Sequence, residues 1–322
     1  MQSDMSSQPT DIFSAKPQTN LSNRALWFDN WLVAHQNQVE HTLDTLMPRA
    51  DTVPTDLHQA MRWAALGGGK RIRAALLYAS GQACCQSLDL PIQNSLNVAA
   101  AAVELVHAYS LIHDDLPCMD DDILRRGKPT THVKFGEAVA LLAGDAMQPL
   151  AFEWLAHMPI APTLTVQSVQ CFSTALGSLG MAGGQAIDLA STDKKLNETD
   201  LAHMHRLKTG ALLEASVALG AIITSANVKQ QQALKIYAQA IGLAFQVVDD
   251  VLDATANTAQ LGKTAGKDEH DHKSTYVSLM GVDQAQAFAV ALYDQAVAAI
   301  LPFGEQGVAL RGLAYFIVYR SH

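Results

Sequence analysis

The chain has 322 residues, 49% hydrophobic and 16% charged, ample for a large core, and its formal net charge of −9 excludes a general nucleic-acid surface. The four cysteines (Cys84, Cys85, Cys118 and Cys171) follow no zinc-type spacing and the adjacent pair would form a strained bridge, so buried thiols in a reducing compartment are expected. Residues 1–22 lack the apolar stretch of a signal peptide, and no run of roughly 18 residues is free of polar groups, which predicts a cytoplasmic protein without a membrane span.

Residues 1–23 are rich in Ser, Gln, Asp and Pro and are expected to form a disordered tail. No composition shift divides 24–322 and no solenoid-type repeat appears, so one all-α domain is predicted, a large antiparallel helical bundle. Helical periodicity predicts helices over 24–47 and 55–66. Gly67-Gly68-Gly69-Lys70-Arg71-Ile72-Arg73 then places a glycine turn before a helix over 71–86. Glycines let backbone amides approach an anion, a helix N-terminus adds positive potential, and Lys70 and Arg73, three apart, face one way. The spacing of a P-loop is absent.

The next helix, 93–114, is apolar on nearly every face between Val98 and Leu111, which places it in the centre of the bundle. It runs into Asp114-Asp115-Leu116-Pro117-Cys118-Met119-Asp120-Asp121-Asp122, followed by Arg125-Arg126. Carboxylates are unfavourable at the negative end of a helix dipole unless a cation binds there. Pro117 forbids regular helix, so the chain bends and returns Asp120 toward Asp114. His107 and Asp114, seven apart, share a helix face. Clustered carboxylates suit magnesium, which takes one or two of them together with substrate phosphates, and the paired arginines offer planar forks to phosphate oxygens.

Helices are predicted over 134–157, 164–189 and 198–222. Gln185 and Asp188 in the second read equally well as structural or functional. In the third, Gly210 of Lys208-Thr209-Gly210 predicts a kink that turns Lys208 and Thr209 inward. The helix over 229–253 ends in a second acidic cluster, Asp249-Asp250-Val251-Leu252-Asp253, with Lys263 and Lys267 beyond it. Asp249 and Asp253 are i and i+4, a like-charge pair that favours a bound cation, and Gln246 lies one turn earlier. Helices over 283–300 and 305–320 complete the chain.

The stretch from His107 through Asp114 and Asp120 to Arg125-Arg126-Gly-Lys-Pro-Thr130, together with Gly67–Arg73 and Asp249-Asp250-x-x-Asp253, resembles the trans-type (E-) prenyl diphosphate synthases over about residues 60 to 280. The resemblance implies an isoprenoid synthase fold with a central cavity, usually homodimeric. The substrates it implies are isopentenyl diphosphate and an allylic diphosphate (dimethylallyl or geranyl), with magnesium as cofactor, three ions when the allylic diphosphate is bound. It assigns Lys70, Arg73, His107 and Arg126 to the diphosphate of isopentenyl diphosphate. Arg125, Lys208, Thr209, Gln246 and Lys263 fall to the allylic diphosphate. The metal is assigned to Asp114, Asp115 and Asp120 on one wall and Asp249, Asp250 and Asp253 on the other, with Asp114, Asp120, Lys208 and Asp249 central to catalysis.

Tyr109, five residues before Asp114, and Ser110 are expected to set chain length. With the two-residue insert between the aspartates, they are similar to the bacterial farnesyl-producing members of that family. Two departures stand out: Ala74 replaces a usual proline, with some loss of loop rigidity expected, and Ile123 replaces a common acidic residue. A class I terpene cyclase ordinarily lacks the Gly-Gly-Gly-Lys-Arg-x-Arg stretch, and a non-catalytic synthase subunit should have lost one acidic motif, so both are weaker readings.

Overall fold

A computed structural model describes residues 21–85, 87–192, 194–255 and 274–320, with side chains from residue 26 onward. The elements are α1 (Leu21–Leu46), α2 (Thr55–Ala65), α3 (Ile72–Cys84), α4 (Leu90–Asp114), the hairpin strands β1 (Leu124–Arg125) and β2 (Lys128–Pro129), α5 (Thr131–Phe135), α6 (Glu137–Ala156), α7 (Pro162–Leu176), α8 (Met181–Ala190) and α9 (Glu198–His205). A π-turn over Arg206–Gly210 leads to α10 (Ala211–Ile223) and α11 (Val228–Thr255). These are followed by α12 (Tyr276–Met280), α13 (Val282–Ile300), a 3₁₀ segment over Leu301–Gly307 and α14 (Val308–Tyr319).

The all-α architecture expected from periodicity is present, with α4 and α11 at its centre. α4 packs against α1, α2, α3, α6 and α10, and α11 packs against α10, α13, α14 and the π-turn. Two apolar clusters result: one around Leu96, Val103, Leu105 and Ile112 of α4 and Met147 of α6, the other around Tyr237, Ile241 and Val247 of α11 and Leu313 of α14. The start of α4 is fixed locally, because the Asp89 side chain accepts the Ile92 amide at 2.9 Å and Pro91 occupies the first turn, where its missing N–H costs nothing.

Several boundaries differ from the sequence reading. α1 begins at Leu21, inside the segment expected to be disordered. The helix expected over 164–189 is two, α7 and α8. They break at Gly177–Gly180, where a Cβ on Gly180 would lie 2.2 Å from the Ala175 carbonyl oxygen. Gly136, at φ 86°, separates α5 from α6 within the single helix expected over 134–157. The hairpin β1–β2 was not foreseen; Arg126 (φ 52°) and Gly127 (φ 73°) both take the left-handed conformation its two-residue turn needs.

All four cysteines are free, but Cys118 is exposed and the other three are half-buried, so the expectation of buried thiols is not met. Two segments, Leu90–Asp114 and Val282–Tyr319, are long and apolar enough to cross a membrane by length and composition, contrary to the sequence reading. The first is 72% buried as the bundle's central helix, and Glu104 within it is paired with Arg71.

Candidate active site

Two adjoining chambers lie along α4, of about 650 and 420 Å³, sharing Arg73, His107 and Leu111 as common wall.

The first chamber gathers Lys70, Arg73, His107 and Arg126. The turn that carries Lys70 has Gly67, Gly68 and Gly69 all at positive φ. At Gly69 the requirement is twofold, since a Cβ there would also lie 2.8 Å from the Arg126 guanidinium carbon. Arg126 donates from Nη1 to the Gly68 carbonyl at 2.7 Å, and Gln36 Nε2 donates to the Lys70 carbonyl at 2.9 Å. The hairpin and α1 therefore clamp the glycine turn from two sides.

Arg71 opens α3 in the left-handed conformation, φ 51°, an unfavourable state for a side chain this large. Its buried guanidinium is held by Glu40 Oε1 at 2.6 Å, the Ala65 carbonyl at 2.6 Å and Glu104 Oε2 at 3.3 Å. Glu104 also accepts the Ala74 amide at 3.0 Å through Oε1. The N-cap residue of α3, Arg71, makes no side-chain cap bond; Glu104, reaching across from α4, satisfies one of the otherwise unpaired first-turn amides. Ala74 thus supplies a donor that proline lacks, which replaces the expected loss of rigidity with a specific bond.

Lys70 is half-buried, and burial and then Arg320 push its ammonium below the usual lysine range, opposed by Asp249. His107 is held well below the usual histidine range, by burial first and then by Arg73 and Arg126, so it presents a neutral imidazole. Arg73 Nε is buried with no partner in the protein. A cationic chamber with an unsatisfied buried donor is chemically suited to an anion that accepts several hydrogen bonds.

The second chamber is lined by Tyr109, Ser110, Asp114, Gln185, Lys208 and Thr209, among others. Tyr109 is buried edge-on against His113, with centroids 5.5 Å apart; burial, then Asp114, raises its hydroxyl pKa, opposed by a hydrogen bond to Gln148. Ser110 Oγ is turned back onto the His107 carbonyl at 2.9 Å. The bend expected at Pro117 is present: the Asp120 amide donates to the Asp114 carbonyl at 2.9 Å, and the Asp121 amide to Leu116 at 3.2 Å. Burial, opposed by Lys208 and reinforced by Asp120, pushes the Asp114 carboxyl up to about 6.

The expected kink at Lys208-Thr209-Gly210 is a π-turn, and both residues face the chamber. Lys208 Nζ is fixed by Asp188 Oδ2 at 2.5 Å. Gly184 lets α8 reach this turn, since a Cβ there would sit 2.1 Å from the Lys208 amide nitrogen. Both amide atoms of Gln185 are buried without a partner.

The two acidic clusters are not uniform. Asp115 accepts from Arg125 at 2.5 and 2.8 Å, and Arg125 also lies 3.6 Å from Asp122. The residue assigned to metal and the residue assigned to the allylic diphosphate are therefore paired with each other. In the second cluster the Asp249 side chain is 41% exposed and accepts from Arg320 Nη2 at 2.5 Å. Asp250 is buried and accepts the Tyr276 amide at 2.7 Å, and Asp253 is buried as well. The expected shared face of Asp249 and Asp253 thus divides into one accessible and one enclosed carboxylate. Gln246 is half-buried beside this cluster. Lys263 and Lys267 lie outside the described residues.

Among the described residues no three His, Cys, Asp or Glu side chains converge as a ready-made metal cage. The accessible donors are hard carboxylate oxygens offered in ones and twos, and Asp114 carries a desolvation cost that a cation would relieve. This donor set fits magnesium, which completes its shell with water and phosphate.

Sequence reasoning missed Gln36, Glu40, Glu104 and Arg320. Only Glu104 had a readable signal: it is the lone charge in the apolar run Val98–Leu111.

Residues 54–299 match the polyprenyl synthetase family, and the chain belongs to it. Its relatives include the farnesyl diphosphate synthase of Escherichia coli, 45% identical over 303 residues that cover 91% of this chain and 99% of that protein. The chloroplastic heterodimeric geranylgeranyl pyrophosphate synthase large subunit 1 of Arabidopsis thaliana is 42% identical, over 92% of this chain and 80% of that one. Among solved structures, a geranyltransferase from Helicobacter pylori complexed with magnesium and isoprenyl diphosphate superposes with a TM-score of 0.79 at 29% identity, covering 93% and 98% of the two chains.

Proposed function

We propose that this chain condenses isopentenyl diphosphate with dimethylallyl and then geranyl diphosphate, giving the C15 product farnesyl diphosphate. The observation that carries the reading is the pair of chambers meeting at Arg73 and His107: one gathers Lys70, Arg71 and Arg126, and the other sets Asp114, Lys208 and Thr209 beside apolar side chains such as Met119, Met181 and Leu189. Two diphosphates with opposite requirements fit the two sides, and their hydrocarbon ends meet at the shared wall.

In this reading Lys70, Arg73, His107 and Arg126 bind the diphosphate of isopentenyl diphosphate. Arg73 Nε and a neutral His107 donate hydrogen bonds rather than exchange protons. Asp114, Asp120 and Asp249 hold magnesium, which when bound neutralises the charge growing on the departing diphosphate. Lys208, fixed by Asp188, lies beside the same leaving group, where preorganised charge acts most strongly. As the allylic C–O bond breaks, the apolar wall of the second chamber keeps water from the carbocation. The isopentenyl double bond then attacks C1, and the departing diphosphate takes the released proton. Tyr109 blocks further extension as a buried aromatic floor packed edge-on against His113.

The chain is read as a homodimer, as the family resemblance implies. A geranylgeranyl product is the second reading, favoured by the Arabidopsis relative and opposed by Tyr109.

The test is chromatography of products from dimethylallyl or geranyl diphosphate with isopentenyl diphosphate and magnesium. Farnesyl diphosphate is the expected end product, with pyrophosphate released only when both substrates are present. Pyrophosphate released from an allylic substrate alone would indicate cyclisation or hydrolysis instead, and a C20 end product would favour the second reading.

A further inference from the structure

Trp63, near the end of α2, lines the first chamber together with Gly67, Lys128, Pro129 and Thr130. Its indole Nε1 donates to the Pro129 carbonyl at 3.1 Å, which ties strand β2 to α2. Two ammonium groups lie over the ring, Lys128 at 5.5 Å and Lys134 at 3.1 Å from the centroid. The Phe135 ring meets it edge-on at 6.4 Å. A Cβ on Gly67 would lie 3.5 Å from Lys128 Nζ, as one on Gly69 would lie 2.8 Å from the Arg126 guanidinium carbon. The hairpin and the glycine turn therefore face each other along their length, with Lys128 opposite Gly67 and Arg126 opposite Gly69. Lys128 is exposed at the mouth of the chamber, whereas Arg73 Nε lies buried in its wall.

An ammonium paired with a carboxylate is partly neutralised before any anion arrives, whereas one resting on an aromatic face keeps its charge. Among the described residues the Trp63 ring is what Lys128 Nζ rests on. A lysine loses rotamer freedom when it binds phosphate, and a ring that already confines its stem reduces that loss. The bond to Pro129 adds a second constraint. With β2 fixed, the two-residue turn also fixes Arg126, whose Nη1 reaches the Gly68 carbonyl at 2.7 Å. One indole thereby sets the position of two cations. We propose that Lys128 is an added ligand for the diphosphate held in the first chamber, and that Trp63 is the positioning residue that presents it. This rests on the proposed function and extends it: the diphosphate of isopentenyl diphosphate meets a cation at the mouth as well as Lys70, Arg73 and Arg126 within.

The experiment pairs a binding measurement with steady-state kinetics. Lys128→Gln is expected to weaken the binding of inorganic pyrophosphate, followed by calorimetry without magnesium, about three- to ten-fold, the range of one partly exposed charge pair. KM for isopentenyl diphosphate should rise by the same factor, while kcat and KM for geranyl diphosphate stay within about two-fold of the wild type. Lys134→Gln removes the same charge from the same ring but lies outside the chamber lining, so pyrophosphate affinity should change less than about two-fold. Trp63→Leu takes away both the ring and the N–H and should raise KM for isopentenyl diphosphate at least as much as Lys128→Gln. Adding Lys128→Gln to it should then change little, because the lysine is no longer presented. Trp63→Phe keeps a ring and loses only the indole N–H; it should fall between, and it carries the comparison if Trp63→Leu does not fold. No pyrophosphate binding by the wild type, equal affinity in Lys128→Gln, an equal effect of Lys134→Gln, or additive effects of the Trp63 and Lys128 substitutions would overturn the inference. Pyrophosphate binding needs no turnover, whereas product formation tests the proposed function, so the two can fail independently.

Discussion

The amide of Ala74 donates to the Glu104 carboxylate at 3.0 Å, so that a side chain of α4 caps the first turn of α3. The same carboxylate holds Arg71, the residue that turns the chain from the glycine loop into α3. Lys70 and Arg73, on either side of Arg71, are therefore aimed by a buried acid that bonds the turn between them.

Ala74→Pro tests this bond. Proline is tolerated sterically in the first turn of a helix, so the main change is the lost N–H. The buried Glu104 oxygen then has no donor, and a loss of about 1–3 kcal/mol in urea unfolding is expected. Unaltered stability would show that the cap contributes nothing.

Gly69→Ala places a methyl group 2.8 Å from the Arg126 guanidinium carbon on a backbone at φ +107°. The strain costs about 1–3 kcal/mol, and Arg126 must move. KM for isopentenyl diphosphate is expected to rise at least about ten-fold, while KM for the allylic substrate changes little. Steady-state kinetics with each substrate varied in turn separates the two.

Tyr109→Ala removes the floor of the second chamber and its ring contact with His113. Products longer than C15 are expected on chromatography of labelled material. A C15 product alone would place the floor elsewhere.

Asp114→Asn and Asp249→Asn each remove one accessible carboxylate. Turnover is expected to fall about 10²- to 10³-fold, as when one preorganised electrostatic partner of a transition state is lost. Asp250→Asn should act differently, because Asp250 is bonded to the Tyr276 amide: lower thermal stability should accompany any loss of rate.

His205 gives a pH signature of folding. Burial, reinforced by Lys208 and opposed by Asp188, lowers it from 6.5 to about 4. The unfolded chain therefore binds more protons between these values, so the contribution of neutral His205 is complete above pH 6.5 and is lost as pH falls toward 4. The slope is about 1.4 kcal/mol per pH unit. In urea unfolding at pH 7 and pH 4.5, the stability advantage of wild type over His205→Asn should shrink by about 2–3 kcal/mol. A constant difference would mean that His205 titrates normally.

Much of the site was legible in the sequence because its signals are local. Pro117 forbids helix, and the resulting bend carries Asp120 back to Asp114. Gly210 within a regular helical pattern marks the π-turn that aims Lys208 and Thr209. All-round apolar segments mark α4 and α11 as central. Glycines at Gly67–Gly69 followed by Lys70 and Arg73 mark an anion site, since φ angles such as 148° at Gly68 and 107° at Gly69 favour glycine.

The tertiary structure alone decided which members of each cluster are available. Spacing treats Asp249, Asp250 and Asp253 alike, but packing of the Tyr276 amide against Asp250 and enclosure of Asp253 leave only Asp249 accessible. Asp115 and Arg125 each suited a ligand by residue type, yet they lie within reach of each other and pair. Glu104 and Ala74 are 30 residues apart, and Asp249 and Arg320 are 71 apart. No periodicity encodes such pairings, because they depend on which helix faces meet once the apolar surfaces of α4 and α11 have been buried.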